Sequence, residues 1–120
     1  MKKILIVDDH AEVRKLLEVV LREPDREFLF AANGSEAITT AQESRPDLIL
    51  LDVMMPGGLD GHEVTRRLKL DPATHDCPII AMTAKVQEND RLDALAAGAD
   101  DYLGKPFDMG ALRAMVAGYL

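Results

Sequence analysis

The chain has 120 residues, the size of one domain, and 48% of them are hydrophobic, which argues against disorder and allows a sizeable core. Acidic residues outnumber basic ones by 21 to 14, and the formal charge of −7 argues against direct binding to nucleic acid or to an anionic membrane surface. The single cysteine excludes an internal disulfide, and no run approaches the ~20 apolar residues of a membrane span. We therefore expect one cytoplasmic domain over residues 1–120.

Short apolar runs alternate with helical patterns along the chain. The runs predict strands at residues 4–7, 27–32, 47–51, 78–82 and 101–103. The patterns between them predict helices at residues 11–22, 35–45, 61–70, 87–97 and 108–120. We expect Ser35 to be the N-cap of the second helix, Gly98 to follow the end of the fourth, and Asp108 to cap the fifth.

Strand and helix alternate throughout, and this order predicts an α/β fold whose parallel sheet has helices on both faces. Right-handed crossovers restrict the topology, and we expect a doubly wound, five-stranded sheet in the flavodoxin-like order 2-1-3-4-5. Ligands bind such sheets at the carboxyl ends of the strands. The residues that follow the predicted strands are therefore the candidates for a functional site.

Polar side chains follow four of these strands. They are Asp8 and Asp9 after the first, Asp52 after the third, Thr83 after the fourth and Lys105 after the fifth. Each alone is ordinary, since such residues often mark a loop or a helix cap. Together they bring three carboxylates to one edge, where unit charges ~4 Å apart repel by about 4 kcal/mol at an effective dielectric near 20. A cation is therefore expected, and carboxylate and carbonyl oxygens suit Mg²⁺.

A carboxylate beside Mg²⁺ has two obvious uses, hydrolysis and phosphoryl transfer. A phosphate cannot approach an acidic cleft unless a cation is present. With Mg²⁺ bound, a carboxylate can attack phosphorus while the metal, Lys105 and Thr83 stabilise the transferred oxygens.

Six short stretches, spread over nearly the whole chain, match one family pattern. They are ILIVDD at 4–9, ANGSEA at 32–37, LDVMMP at 51–56, DG at 60–61, PIIAMTA at 78–84 and GADDYLGKPF at 98–107. In this order and spacing the chain resembles the receiver domains of bacterial two-component response regulators. Within this family it resembles the stand-alone, chemotaxis-type regulators.

The resemblance implies that Asp52 accepts a phosphoryl group from a histidine kinase or a histidine phosphotransfer protein. It implies that Asp9, Asp52 and the backbone carbonyl of Met54 are ligands of Mg²⁺. Asp8 is then expected to act on the metal largely through water.

The resemblance also implies roles at the fourth and fifth strands. Lys105 is expected to contact the phosphoryl group and to precede a cis bond to Pro106. Thr83 and Tyr102 resemble the pair that switches on phosphorylation. Their movement is expected to reshape the surface formed by residues 87–120, which a downstream protein partner then reads.

Three other functions match part of this pattern. A Mg²⁺-dependent phosphatase with an aspartyl nucleophile, the main alternative, needs a carboxylate where Met54 stands. An FMN carrier needs a Ser/Thr/Gly-rich phosphate loop where Asp8 and Asp9 stand. A receiver-like module that is never phosphorylated has no need of the intact set of site residues. We therefore predict a phosphoacceptor switch that catalyses only its own phosphorylation and dephosphorylation.

The remaining candidates for chemistry receive structural explanations. Cys77 is predicted to be a small buried apolar residue. His10 and His62 are expected to face solvent, because no third metal ligand is evident near either. Met54 and Met55 are interpreted as loop packing.

Overall fold

The computed structural model describes residues 1–55, 58–83 and 88–120. Within these ranges, five parallel strands form one sheet in the order β2-β1-β3-β4-β5. The strands are β1 (Lys2–Val7), β2 (Arg26–Ala31), β3 (Leu48–Asp52), β4 (Ile79–Thr83) and β5 (Asp101–Gly104). The helices are α1 (Ala11–Leu21), α2 (Gly34–Ser44), α3 (Gly61–Leu70), α4 (Glu88–Ala97) and α5 (Met109–Tyr119). The predicted doubly wound sheet and its strand order are confirmed.

Two apolar clusters cover the two faces of the sheet. Successive residues of a strand point to opposite faces, and β1 shows the division. Leu5 and Val7 pack in the cluster that includes residues of α2 and α3. Ile4 and Ile6 pack in the cluster that includes residues of α1 and α5. All four side chains are fully buried, as the continuous apolar run predicted.

The start of α2 differs from its prediction. Asn33, rather than Ser35, is the N-cap, and its Oδ1 accepts a hydrogen bond from the Glu36 amide at 2.9 Å. The Glu36 carboxylate in turn accepts from Asn33 Nδ2 at 2.9 Å. Asparagine caps a helix as well as serine does, and this reciprocal pairing places Ser35 inside the first turn.

The other two caps agree with the sequence. Gly98 follows α4 with a φ of 112°, in the left-handed region that favours glycine. Asp108 caps α5, and its Oδ1 accepts from the Ala111 amide at 3.1 Å. The predicted start of the fourth helix at residue 87 lies outside the described residues. In the described part of the chain, no helix has the length and apolar character needed to cross a bilayer.

The ends of β3 and β4 extend further than predicted. β3 includes Asp52 and β4 includes Thr83, so both candidates are strand residues and not loop residues. The backbone continues the ladder past each of them, with Val53 N donating to Met82 O at 2.9 Å and Lys105 N donating to Thr83 O at 2.7 Å. The sheet therefore fixes the main chain of both residues.

Helix α3 begins in direct contact with the end of β3. Gly61 N donates to Val53 O at 3.1 Å. A Cβ built on Gly61 meets the Asp52 carbonyl oxygen and the Val53 Cα, each at 2.6 Å. Glycine is required here because any side chain would push the helix away from the strand end.

Replacing Gly61 by alanine is therefore expected to destabilise the domain by about 1–3 kcal/mol, the usual cost of overpacking. Gly118→Ala is the matched control, because a Cβ on this α5 residue meets nothing within 4 Å. That change is expected to be neutral or to stabilise by up to about 1 kcal/mol through helix propensity. Urea unfolding of both variants measures the difference, and equal stability of the two would contradict the proposed close contact.

Candidate functional site

The predicted side chains converge at the carboxyl edge of the sheet. Val7 pairs with Leu51, so Asp8 and Asp52 lie side by side one residue further on. Lys105 reaches both carboxylates, with Nζ 3.0 Å from Asp8 Oδ2 and 3.6 Å from Asp52 Oδ2. The structure thus brings together three of the residues selected from the sequence.

The lysine follows β5 directly. Its main chain is tied to β4 by the hydrogen bond from Lys105 N to Thr83 O. The bond between Lys105 and Pro106 is cis, as predicted. Residues from the last part of the chain are thereby placed beside carboxylates that belong to its first half.

Asp8 is fully buried, and both of its carboxylate oxygens have donors. Oδ1 accepts from the His10 amide at 2.9 Å, and Oδ2 accepts from Lys105 Nζ at 3.0 Å. Its backbone carbonyl accepts from Arg14 at 2.7 Å. With its oxygens already hydrogen-bonded, Asp8 holds the lysine more readily than it offers a direct ligand to a metal.

Asp9 differs from Asp8 in having a carboxylate oxygen without a donor. Its Oδ1 is buried and is the one such side-chain atom without a hydrogen-bond partner among residues 1–55, 58–83 and 88–120. His10 Nδ1 lies 3.2 Å from it but lacks hydrogen-bond geometry. Buried polar atoms without partners are rare and costly, and a cation removes that cost. The oxygen donors of Asp9 and Asp52 therefore suit Mg²⁺.

Asp52 is 2% exposed, and its environment favours the protonated form. Burial raises the pKa of Asp52 above its ordinary value, and the neighbouring charges of Asp8 and Asp9 add to the rise. The hydrogen bond from Met54 N to Asp52 Oδ1, at 3.1 Å, and the charge of Lys105 oppose it. A further positive charge at this site favours the ionised, nucleophilic carboxylate.

Thr83 and Tyr102 lie on the same face of the sheet. Tyr102 pairs with Ala81 in the ladder, and Thr83 follows Ala81 by two residues. The tyrosine ring is half-buried and packs against a cluster built from small residues, including Ala81, Ala94 and Ala99. Met82 pairs with Asp52, so Thr83 lies one residue beyond the level of the buried carboxylate.

A cleft of about 560 Å³ lies on this face, lined in part by the two residues that follow Asp52 in the chain. Its lining combines apolar side chains with three carboxylates and a histidine. The lining residues are Val53, Met54, Met55, Asp60, His62, Thr83, Asp90, Asp93 and Tyr102. Thr83 and Tyr102 thus line the same cavity.

Sequence reasoning missed two neighbours of the acidic pair. His10 does face solvent, with 62% of its side chain exposed, but its Nδ1 lies 3.2 Å from an oxygen of Asp8 and of Asp9. The predicted exposure of His10 is therefore confirmed, and the structure adds its contact with the two aspartates. Arg14 holds the Asp8 carbonyl from the first turn of α1. The contact of His10 could have been suspected from its position directly after two aspartates. Nothing in the helical pattern set Arg14 apart from the other polar residues of α1.

Comparison with known proteins gives the family. The family model described as the response regulator receiver domain matches residues 4–117. The chain belongs to this family. It is therefore a phosphoacceptor domain of two-component signal transduction.

Its relatives include transcriptional regulators and chemotaxis proteins. The chain is 45% identical over 119 residues to the phosphate regulon transcriptional regulatory protein PhoB of Pseudomonas aeruginosa, a match that covers 99% of this chain and 52% of that protein. Chemotaxis protein CheY4 of Vibrio cholerae has a similar structure, with a TM-score of 0.90, 31% identity, and coverage of 100% of this chain and 99% of that one. This receiver domain spans about half the length of the curated relatives it matches.

A third similar protein bears on the metal. The receiver domain of a sensor histidine kinase from Pseudomonas aeruginosa PAO1 has a TM-score of 0.88 and 34% identity to this chain. The match covers 98% of this chain and 96% of that one. The solved structure of that protein holds a magnesium ion coordinated in its active-site cleft.

The raised pKa of Asp52 gives a prediction about folding stability. A carboxyl with a higher pKa in the folded state stabilises the fold below its unfolded pKa, and this contribution is lost as the pH rises through the folded value. Asp52→Asn removes the charge and can keep an acceptor for Met54 N. The variant is expected to be more stable than wild type at neutral pH by more than about 0.5 kcal/mol, the range of surface substitutions.

The gain should shrink as the pH falls through the pKa of Asp52. Urea unfolding at several pH values measures it, and Asp76→Asn is the control because that side chain is 92% exposed. If Asp52→Asn is less stable than wild type at neutral pH, ionisation of Asp52 does not destabilise the folded state and the prediction is wrong.

Proposed function

We propose that this receiver accepts the phosphoryl group on Asp52. The observation that carries the proposal is the placement of that carboxylate at the end of a central strand, beside Asp8, with the Lys105 ammonium close to both. Neither the strand backbone nor the buried side chain has much freedom to move. Such a fixed carboxylate is suited to in-line attack on phosphorus, where orientation contributes much of the rate.

The donor we propose is a phosphohistidine of a histidine kinase or of a histidine phosphotransfer protein. A carboxylate oxygen of Asp52 forms a bond to phosphorus while the phosphorus–nitrogen bond of the donor breaks. The electron pair of that bond returns to the imidazole, and the product is an aspartyl phosphate. Lys105 lies close enough to Asp52 to contact the transferred oxygens and to stabilise their negative charge.

Mg²⁺ is the proposed cofactor, and when bound it neutralises charge on the carboxylates and on the phosphoryl oxygens. Asp9, Asp52 and the backbone carbonyl of Met54 are the proposed ligands. The buried Asp9 oxygen that lacks a donor supports this choice. Asp8 is assigned an indirect role, because its two oxygens already accept from His10 and Lys105.

We assign the domain a switching role and not steady phosphatase turnover. A phosphatase of the aspartyl type needs a general acid two residues after its nucleophile, and Met54 offers no titratable group. Family membership also supports the phosphoacceptor and gives no support to the phosphatase. Catalysis by the domain is therefore limited to its own phosphorylation and dephosphorylation.

Thr83 and Tyr102 are proposed to transmit the change to α4, β5 and α5. A phosphoryl group on Asp52 gives the Thr83 hydroxyl a strong acceptor, and the space it leaves can take the Tyr102 ring. Changing the ratio of the active to the inactive conformation from 1:99 to 99:1 needs about 5.5 kcal/mol. One charge-assisted hydrogen bond supplies only about 1.5–3 kcal/mol. Contacts of Lys105 and of the metal must therefore contribute too. A downstream protein is proposed to read the altered face.

The phosphoacceptor is tested by mass spectrometry of the intact protein. Incubation with acetyl phosphate and Mg²⁺ is expected to add one phosphoryl group to wild type and to Asp76→Asn, and none to Asp52→Asn. Excess EDTA is expected to prevent the adduct, because an acidic site without its cation repels phosphate. An equal adduct in Asp52→Asn, or undiminished labelling in EDTA, would refute the assignment of acceptor or metal respectively.

The switch is tested with a pair of substitutions at Thr83. Thr83→Ala is expected to be phosphorylated but to lose most of the phosphorylation-dependent shifts in backbone amide spectra over α4, β5 and α5. Thr83→Ser keeps the hydroxyl and is expected to keep the shifts. If Thr83→Ala shows the full response, the hydroxyl does not couple Asp52 to that face.

A further inference from the structure

We propose that the His10 imidazole is an additional ligand at the acidic site, so that the site binds a borderline divalent metal such as Zn²⁺ more tightly than its carboxylates alone allow. The inference rests on the metal site proposed above and adds a nitrogen donor to it. Imidazole suits zinc and its neighbours in the transition series, whereas Mg²⁺ prefers oxygen. The identity of the bound metal then depends on this one residue.

The spacing of the donor atoms supports a shared ion. His10 Nδ1 lies 3.2 Å from Asp8 Oδ1 and 3.2 Å from Asp9 Oδ1. Adjacent ligands about 2.1 Å from a metal are separated by about 3.0 Å in octahedral geometry and about 3.4 Å in tetrahedral geometry. One donor atom from each of the three residues lies within 4.8 Å of the others. An ion can therefore contact His10 and Asp9 without movement of the backbone.

A hydrogen bond accounts for only one of these two contacts. His10 Nδ1 is within hydrogen-bonding distance of Asp8 Oδ1, an oxygen that also accepts from the His10 amide. The contact with Asp9 lacks hydrogen-bond geometry, and the Asp9 oxygen is buried without a donor. A metal between the ring nitrogen and this oxygen gives the Asp9 oxygen a partner and replaces the hydrogen bond from Nδ1 to Asp8.

The backbone of His10 is fixed while its ring is exposed to solvent. The residue is the N-cap of α1, its carbonyl accepts from Arg14 N at 3.2 Å, and its amide donates to Asp8. Its side chain makes no capping hydrogen bond. Because the ring is 62% exposed, a metal bound there keeps positions open for water or for phosphoryl oxygens. Binding through Nδ1 requires the tautomer with its proton on Nε2.

The proposal is tested by measuring Zn²⁺ and Mg²⁺ affinity separately. Competition with a fluorescent chelator gives the Zn²⁺ dissociation constant, and amide shifts give that for Mg²⁺. His10→Ala is expected to weaken Zn²⁺ binding by about tenfold or more and to change Mg²⁺ binding by less than about twofold. His75→Ala is the control for unspecific imidazole binding, since its Nε2 contacts Asp76 and not the acidic pair. It is expected to keep the tight Zn²⁺ site.

A direct readout in the wild-type protein accompanies the variants. The ¹⁵N chemical shift of His10 Nδ1 is expected to move on addition of Zn²⁺ and to stay in place on addition of Mg²⁺. Unchanged Zn²⁺ affinity in His10→Ala, or an equal loss for both metals, overturns the proposal. Phosphorylation by acetyl phosphate with Mg²⁺ tests the proposed function independently, because its failure leaves the His10 shift with Zn²⁺ intact.

Discussion

Repulsion among Asp8, Asp9 and Asp52 is the constraint on which the carboxyl edge of this sheet depends. Parallel strands in register bring Asp8 and Asp52 side by side, and burial removes the water that would screen them. Lys105 offsets part of the charge, but burial, with a smaller contribution from Asp8 and Asp9, still raises the pKa of Asp52, and a buried oxygen of Asp9 has no donor. A proton or a cation at this edge would lower the cost of holding the three carboxylates together, which is why the edge is the candidate site.

The framework around this edge resists the same repulsion. The ladder continues past Asp52 and past Thr83, so neither strand end can separate to relieve the charge. Gly61 allows α3 to pack directly against the Asp52 carbonyl, so the helix also limits movement of this strand end. Relief must come through protonation or metal binding, since the strand ends are held by the ladder.

The sequence predicted the sheet order and the convergence of Asp8, Asp52 and Lys105. Both predictions rest on patterns that recur along the chain, namely apolar runs that mark buried strands and the polar residues that follow them. It predicted cap positions less well, since asparagine and serine compete on nearly equal terms at Asn33 and Ser35. The contact of His10 with the acidic pair was not predictable from periodicity. It depends on the path of the chain between β1 and α1, which only the folded backbone defines.

The unequal distances from Lys105 to its two carboxylates explain how one ammonium serves two purposes. The shorter contact, 3.0 Å to Asp8, is a hydrogen bond to a fully buried group and fixes the lysine in place. The longer one, 3.6 Å to Asp52, leaves the ammonium near the proposed phosphoacceptor without a hydrogen bond to it. In the proposed phosphorylation of Asp52, a phosphoryl oxygen would approach an ammonium that is already oriented, so Lys105 would not have to be ordered in that step. Asp8, which lies 97 residues from the lysine in sequence, acts in this way as its positioning residue.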